Sequence, residues 1–301
     1  MFCIVGLTGI GFGRPLVDGH AGYGAVAPHS HAAAYSVLAE TEIVGVCDLH
    51  QDRLVQFKEV WSMSLPSLKY YTDYRQMIVE LEPDILSVVT SDDRHTGIVV
   101  FFAQSGVRGI FCEKPIATAL ANANRMIEAV EQNGVVMTIN HSCRWRPIFR
   151  PVLSELNKGA IGQLQRIVCS YGGPRAMLFR NGTHMVDTMC MFSSSEPQWV
   201  FAELEEGYED HWPYQGDGGR SPNLNLEYRV IFINNSKRMF GRWDIASWEL
   251  FGAMGYITVN DQHAIAEIET ENGTKKIGYP PNTCVDSPAI RELIIAMEEG
   301  G

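Results

Sequence analysis

Short apolar runs alternate with amphipathic segments along roughly the first half of the chain. Runs that are apolar throughout are typical of strands buried on both faces of a parallel sheet, and apolar residues spaced three or four apart mark one face of a helix. The predicted strands are 2–5, 42–47, 84–90, 109–112 and 135–140, and the predicted helices are 31–40, 51–61, 73–81, 96–105 and 118–133. This alternation predicts right-handed parallel βαβ units in a doubly wound sheet.

A different pattern follows a further predicted helix at 151–158. Polar and apolar residues alternate along 164–171, 199–204 and 224–232, as they do in an antiparallel sheet with one buried face. A final amphipathic helix is predicted at 289–297. We therefore expect two domains, an α/β domain over 1–120 and an α+β domain over 121–301.

A glycine-rich segment follows the first predicted strand. In the order Gly9-Ile10-Gly11-Phe12-Gly13-Arg14, the backbone N–H groups of such a turn can close on a pyrophosphate. Arg14 stands where the G-x-G-x-x-G pattern has its third glycine. The glycines and prolines of 15–29 predict a long inserted loop, which could be functional, disordered or in contact with another subunit.

Asp48 ends the second predicted strand. In a dinucleotide-binding fold, an acidic residue at that place hydrogen-bonds the adenosine ribose, and its charge repels a 2′-phosphate. It therefore favours NAD over NADP. The same residue could instead cap the helix at 51–61.

The strand at 109–112 leads into Glu113-Lys114-Pro115. Proline cannot donate to a sheet ladder, so the strand stops there and leaves Lys114 at its carboxyl end, where ligands bind in open α/β sheets. Thr90 and Asn140 end other predicted strands of the same kind. The alternative is an exposed Glu–Lys pair that closes the strand.

Gly182-Thr183-His184-Met185-Val186-Asp187 carries the second candidate motif. Residues three apart share one face of a helix, so His184 and Asp187 can reach one site together. A structural role for the histidine stays open.

Charge and cysteine usage narrow the classes of protein. A net charge of −11 argues against nucleic acid as a partner, since phosphate binding needs clustered basic residues. We see neither an apolar run of about 20 residues nor a signal segment, and we expect a soluble, cytoplasmic protein with no membrane partner. The seven cysteines are scattered, without C-x-x-C pairs, as buried residues of a reducing compartment are. No histidine or cysteine has ligand-spaced partners, so no metal is predicted.

Taken together, the motifs resemble the Gfo/Idh/MocA oxidoreductases, the relatives of glucose-fructose oxidoreductase and inositol dehydrogenase. The residues that carry the resemblance are 5–14, 46–48, His95, 113–115, 159–162 and 182–187. The resemblance spans roughly the whole chain. It implies an N-terminal Rossmann domain that binds NAD or NADP, and a C-terminal α+β domain with a large open, mainly antiparallel sheet. It also implies a sugar or polyol substrate and a homodimer or homotetramer.

The resemblance implies a role for each matching residue. Lys114 would hydrogen-bond the reacting hydroxyl, His184 would exchange its proton, and Asp187 would orient the imidazole or hold a substrate hydroxyl. The implied cofactor-binding residues are Gly9, Gly11, Phe12, Gly13, Arg14, Asp48, Thr90, His95, Glu113, Lys114 and Asn140. The implied substrate-binding residues are Arg144, Trp145, Arg180, Asn181 and His184. Segment 205–222 could form a rim of the substrate site.

These roles indicate an NAD-dependent oxidoreductase that acts on a secondary alcohol of a sugar, cyclitol or sugar acid. One alternative is a redox-neutral enzyme that retains NAD and works through a transient keto-sugar. Another is a non-catalytic sensor, suggested by Arg180, which stands where relatives commonly carry aspartate. Arg180 could also bind an anionic group of the substrate.

Overall fold

The computed structural model describes residues 1–7, 9–13, 30–170, 182–203, 229–234, 237–242, 247–260, 264–278 and 286–299. The inserted loop predicted at 15–29, the segment 205–222, and Arg14, Arg180 and Asn181 lie outside these ranges. The chain divides into two compact units, Met1–Trp145 with Asn282–Gly301, and Arg146–Pro281.

The first unit alternates strands and helices as predicted. Its described strands are β1 (Phe2–Val5), β2 (Ile43–Cys47), β3 (Lys69–Tyr71), β4 (Ile85–Val88), β5 (Gly109–Cys112) and β6 (Val136–Ile139). Its described helices are α1 (His31–Ser36), α2 (Gln51–Trp61), α3 (Tyr74–Leu81), α4 (His95–Ala103), α5 (Leu120–Gln132) and, from the end of the chain, α8 (Asp286–Glu299). Short 3-10 helices occupy Gly9–Gly11 and Ser142–Trp145.

The six strands form one parallel sheet in the order β3-β2-β1-β4-β5-β6, which is the doubly wound order of a Rossmann fold. The register pairs Val5 with both Cys47 and Val88, and Cys112 with both Val88 and Ile139. The residues that follow these five strands therefore lie side by side along one edge of the sheet. All the predicted cofactor-binding motifs at strand ends fall on that edge.

Helix α1 is shorter than the predicted helix 31–40. It ends at Ser36, and the Thr41 hydroxyl then donates to the carbonyl oxygens of Tyr35 (2.5 Å) and Leu38 (3.0 Å). A side chain that satisfies carbonyls left free at a helix end favours termination at that point.

The first unit extends past residue 120 and includes α8. Two sets of contacts account for this extent. Strand β6 pairs with β5 in the first sheet, and α8 places Ala289, Ile290 and Leu293 in the core between the sheet and α1. The second unit is thus inserted into the first along the sequence.

The second unit contains an open sheet with helices against one face. Its described elements are α6 (Phe149–Asn157), β7 (Leu164–Ser170), α7 (Gly182–Ser193), β8 (Trp199–Glu203), β9 (Arg229–Asn234), β10 (Lys237–Arg242), β11 (Ser247–Gly252), β12 (Gly255–Asn260), β13 (Ile265–Thr270) and β14 (Gly273–Gly278). The strand order is β14-β13-β12-β11-β7-β10-β9-β8, and every neighbouring pair is antiparallel except β7 with β10. The predicted open, mainly antiparallel sheet is confirmed.

Strict alternation builds the core of the second unit. Trp248 and Leu250 on β11 are fully buried, while Glu249 between them is exposed. The Phe149 ring of α6 packs edge-on against Trp248 at a centroid distance of 4.8 Å and against Phe192 of α7 at 5.7 Å. These aromatic contacts attach both helices to the buried face of the sheet.

Candidate active site

The start of the glycine turn after β1 is hydrogen-bonded to the end of β2. The backbone N–H of Gly6 donates to the carbonyl of Cys47 at 2.9 Å, and that of Leu7 donates to Asp48 Oδ2 at 2.8 Å. Gly6 has a φ of +98°, and a Cβ at this residue would collide with the Val89 carbonyl group. Gly9 has a φ of +46°, and a Cβ at this residue would meet no atom of the described residues within 4 Å. The turn therefore allows a ligand to approach the backbone closely.

Helix α2 supports the far side of the turn. The indole N–H of Trp61 donates to the carbonyl of Phe12 at 3.2 Å, and the Phe12 ring packs edge-on against Phe57 at 5.4 Å. Phe12 thus anchors the turn on the core, and the neighbouring Gly9 and Ile10 are exposed.

Asp48 is buried, and both oxygens accept backbone hydrogen bonds. In addition to the bond from Leu7, Oδ1 accepts from the N–H of His50 at 2.9 Å. Arg53 Nη1 lies 3.5 Å from Oδ2. Helix α2 is capped at His50 without a side-chain hydrogen bond, so Asp48 stabilises the loop before the helix instead of its first turn.

Glu113 is buried at the carboxyl end of β5, where it is 6% exposed. Its Oε1 accepts from Asn140 Nδ2 at 2.7 Å and lies 3.0 Å from His31 Nε2. Burial alone would raise the pKa of Glu113, but the hydrogen bond and charge of His31, the hydrogen bond of Asn140 and the charge of Lys114 lower it to about 2. The carboxylate is therefore ionised, and the interpretation as an exposed Glu–Lys pair is wrong.

Lys114 is half-buried beside this carboxylate. Its backbone N–H donates to Glu113 Oε2 at 3.3 Å, and its peptide bond to Pro115 is cis. Lys114 lies on the same edge of the sheet as the glycine turn, one strand beyond β4.

His95 connects the loops after β4 and β5. It is fully buried, with Nδ1 3.1 Å from the carbonyl oxygen of Pro115 and Nε2 3.1 Å from that of Thr90. Both ring nitrogens face the backbone, so this side chain fixes the loop that carries Lys114.

Arg144 and Trp145 follow β6 in the 3-10 helix Ser142–Trp145. Arg144 is half-buried, whereas the Trp145 side chain belongs to the hydrophobic core that also contains Ile290 and Leu293 of α8. Of these two predicted substrate-binding residues, Arg144 therefore has the more accessible side chain.

His184 and Asp187 lie in the first two turns of α7, three residues apart, and both are half-buried. The helix is anchored by its buried residues Thr188, Met189 and Phe192. The Thr188 hydroxyl donates to the His184 carbonyl at 2.7 Å, and Met185 Sδ lies 3.1 Å from Cys169 Sγ on β7. His184 and Asp187 therefore belong to a helix whose buried residues are packed into the second unit.

Three residues around Glu113 were not predicted. His31 Nδ1 lies 3.0 Å from Ser87 Oγ, Tyr35 Oη lies 2.7 Å from the same hydroxyl, and the His31 ring packs against Phe111 at 4.9 Å. The available signal was a histidine at the start of an alanine-rich helix, where a polar ring in an apolar run needs a buried partner.

Within the ranges that the structure describes, no group of three or more His, Cys, Asp or Glu side chains could hold a metal ion. No helix in the same ranges is both long and apolar enough to cross a membrane.

The family model and the relatives that match this chain are all named as oxidoreductases or dehydrogenases. A family model described as an oxidoreductase family with an NAD-binding Rossmann fold, Gfo/Idh/MocA, matches residues 19–141. The D-apiose dehydrogenase of Paraburkholderia graminis is 32% identical over 133 residues, which cover 44% of this chain and 34% of that protein. The myo-inositol 2-dehydrogenase of Thermotoga maritima is 26% identical over 255 residues, 80% of this chain and 74% of the relative. The matches thus span from about a third to three quarters of these relatives.

Solved structures share the fold. A 3-ketoreductase, KijD10 from Actinomadura kijaniata in complex with TDP-benzene and NADP, has a TM-score of 0.74 at 16% identity, covering 99% of this chain and 89% of the other. An oxidoreductase from Agrobacterium radiobacter in complex with NAD+, L-tartaric acid and magnesium has a TM-score of 0.69 at 16% identity, covering 92% and 78%. The family model, the relatives and the fold together confirm the predicted resemblance of this chain to the Gfo/Idh/MocA oxidoreductases.

Proposed function

We propose that this protein is an NAD(P)-dependent oxidoreductase that transfers a hydride between the nicotinamide and a secondary alcohol or ketone. The substrate class is a sugar, cyclitol or sugar-acid derivative. The observation that carries the proposal is the placement of Lys114, next to the ionised Glu113, on the same sheet edge as the glycine turn. The relatives named as inositol and apiose dehydrogenases support the substrate class.

The residues of the first unit fit a dinucleotide. The turn at Gly9 offers backbone and open space to a pyrophosphate, and Asp48 places a carboxylate at the end of β2. When bound there, the nicotinamide supplies the hydride acceptor. The resemblance adds Gly11, Phe12, Gly13, Arg14, Thr90 and Asn140 to this set, with His95 and Glu113 acting through the Lys114 loop.

The chain's own groups would handle the proton and the charge. An alcohol carbon gives up hydride only as its O–H proton is removed, so a base is needed within about 3 Å of the oxygen. We assign that role to His184, with Asp187 orienting its imidazole. The Lys114 ammonium would stabilise the alkoxide as its charge develops.

Asp48 supports NAD as the preferred cofactor, because a buried carboxylate at the ribose position repels a 2′-phosphate. Arg53, whose Nη1 lies 3.5 Å from Oδ2, is the cation through which NADP would gain affinity once the carboxylate is removed. In Asp48→Ser the dissociation constants of NAD and NADP should therefore lie closer together than in the wild type, because the preference for NAD is reduced. Equal affinity of the wild type for both cofactors would contradict the preference.

The proposal is tested by denaturing the purified protein and quantifying released nicotinamide nucleotide, while NAD and NADP are titrated by tryptophan fluorescence. A protein that takes up NAD and forms NADH with a panel of polyols and sugar acids supports the proposal. Stoichiometric release of NAD without net NADH formation would favour the redox-neutral alternative. Absence of binding would overturn the proposal. Light scattering on the purified native protein tests the expected homodimer or homotetramer.

A further inference from the structure

A continuous chain of polar side chains crosses the core beneath Lys114. It links the Tyr35 hydroxyl to Ser87, Ser87 to His31, His31 to Glu113, and Glu113 to Asn140. Four of the five residues are at most 1% exposed and Glu113 is 6% exposed. The groups come from α1, from β4 and from the ends of β5 and β6, so the chain connects α1 with three neighbouring strands of the sheet.

The direction of the hydrogen bonds follows from the carboxylate. An ionised Glu113 only accepts, so His31 Nε2–H and Asn140 Nδ2–H both donate to Oε1, at 3.0 and 2.7 Å. The other oxygen, Oε2, is the one that accepts the backbone N–H of Lys114 at 3.3 Å. Two donors fixed in the core thus determine which oxygen is left to the backbone N–H of Lys114.

A buried carboxylate depends on these donors. Removal of one partner leaves the charge less compensated in a medium of low dielectric, which raises the pKa of the carboxyl and favours its protonation. A protonated Glu113 would lose its negative charge beside Lys114. Its Oε2 would then also be free to rotate away from the Lys114 backbone.

We propose that His31 is a positioning residue for Lys114, which it orients by holding Glu113 as a carboxylate in one fixed conformation. The inference rests on the proposed function for its catalytic consequence. A histidine that only fills space among Phe111 and the alanines of α1 would be replaceable by an apolar residue of similar volume without effect on Lys114.

Among the groups around Glu113, His31 contributes most to keeping the carboxyl ionised. Its hydrogen bond and its charge lower the pKa of Glu113 more than the Asn140 hydrogen bond or the Lys114 charge does. Burial raises the pKa of the neighbouring Cys112 thiol, and the charges of Glu113 and Asp92 raise it further, so the thiol stays neutral. Tyr35 contacts Ser87 and is thus separated from Glu113 by Ser87 and His31 along this chain. His31 is therefore the partner whose loss should allow Glu113 to be protonated.

The test compares the wild type with His31→Leu and with Glu113→Gln, which mimics a permanently neutral carboxyl. Tyr71→Phe is the control, because it removes a hydrogen bond to a different carboxylate, the part-buried 2.9 Å bond from Tyr71 Oη to Glu80, at the edge strand β3 of the same sheet. Infrared titration measures the protonation of Glu113 through its carboxyl band, which is identified by its absence in Glu113→Gln. The chemical shift of 13C-methylated Lys114, whose NMR signal is identified with Lys114→Arg, reports the environment of the lysine. Tryptophan fluorescence gives NAD affinity, and kcat/KM is measured from about pH 5 to pH 9.

We expect His31→Leu to show a protonated Glu113 at about pH 5 and a displaced Lys114 signal, neither of which occurs in the wild type or in Tyr71→Phe. Once a substrate that the wild type oxidises has been identified, kcat/KM of His31→Leu should be about tenfold or more below the wild-type value at the acid end of the pH range. Its NAD affinity should stay within about threefold of the wild-type value. A Glu113 that stays ionised, or an unmoved Lys114 signal, would overturn the inference. If His31→Leu does not fold, Glu113→Gln provides the test. A Lys114 signal that does not move in that variant also overturns the inference.

The two proposals can fail separately. A wild type that oxidises no polyol refutes the proposed function, while the infrared and NMR titrations still decide whether His31 controls Glu113 and Lys114. An active wild type whose Lys114 signal ignores His31 refutes the positioning role alone.

Discussion

The carboxylate of Asp48 accepts a hydrogen bond from the backbone N–H of Leu7 at 2.8 Å, across 41 residues of sequence. Its second oxygen accepts the N–H of His50. The acidic residue at the end of β2 thus fixes the glycine turn at the end of β1, in addition to any contact with a ribose. Its loss should damage the turn itself.

Asp48→Ala should lower the free energy of unfolding by about 1–3 kcal/mol, because a buried backbone N–H loses its acceptor. Urea unfolding followed by tryptophan fluorescence measures the change. Asp93→Ala is the matched control, since Asp93 is exposed and pairs with the exposed Arg94. That control should stay within about 0.5 kcal/mol of the wild type. Equal stability of both variants would show that the turn does not depend on Asp48.

Lys114→Met should lower kcat by about 10²–10³-fold, because the ammonium that stabilises the developing alkoxide is lost. Formation of NADH, measured by absorbance, gives the rate, and tryptophan fluorescence shows whether NAD still binds. The exposed Lys69→Ala should behave as the wild type. A Lys114→Met enzyme with normal turnover would remove this residue from the mechanism.

His184→Asn should lower kcat by about 10²–10⁴-fold through loss of the base, with little change in NAD affinity. His50→Gln serves as control, since His50 is exposed and makes no side-chain bond to α2. If the two variants have the same kcat, the proton acceptor lies elsewhere.

Glu113 predicts a specific dependence of stability on pH. Its pKa in the folded protein is about 2, below the ordinary value of 4.5, so the folded state gains stability from it above pH 4.5 and loses that gain as the pH falls towards 2. Urea midpoints measured through this window should fall more steeply for the wild type than for Glu113→Gln. Glu131→Gln, an exposed change on α5, should keep the wild-type slope. Identical slopes for all three proteins would contradict the depressed pKa.

Phe149→Ala should destabilise the second unit by about 3–5 kcal/mol, because the fully buried ring fills the space between Trp248 and Phe192. Phe149→Leu should cost less, since it leaves a smaller cavity. Thermal unfolding by calorimetry gives both values. A loss below about 1 kcal/mol for the alanine variant would mean that the site collapses around the gap.

Local pattern was sufficient where a helix or strand depends on its own residues. Helix α2 runs from Gln51 to Trp61 as its periodicity predicts, and β5 spans Gly109–Cys112 as the apolar run before Glu113 predicts. Strand β3 was missed, because three residues are too short to show alternation and the strand exists only through its pairing with β2.

The site was predictable as a set of strand ends but not as a network. Lys114 and Asp48 could be placed because each ends an apolar run, and parallel strands bring such ends to one edge. The partners of His31 could not, since Ser87 and Glu113 are 56 and 82 residues away and nothing in the local sequence connects them. The role of Trp145 was equally hidden, because its burial depends on α8 from the far end of the chain.

That last helix has a consequence for biosynthesis. Ser287 Oγ donates to the Ala34 carbonyl at 3.2 Å, Arg291 pairs with Glu40 at 2.8 Å, and three apolar side chains of α8 join the core that α8 forms with α1, β5 and β6. Because the second unit lies between α1 and α8 in the sequence, a nascent chain exposes the apolar groove beside α1 until the whole second unit has been translated. The second unit can therefore fold on the ribosome before the core of the first unit is complete. Loss of α8 should leave the first unit without part of its core, although most of that unit is synthesised ahead of the second.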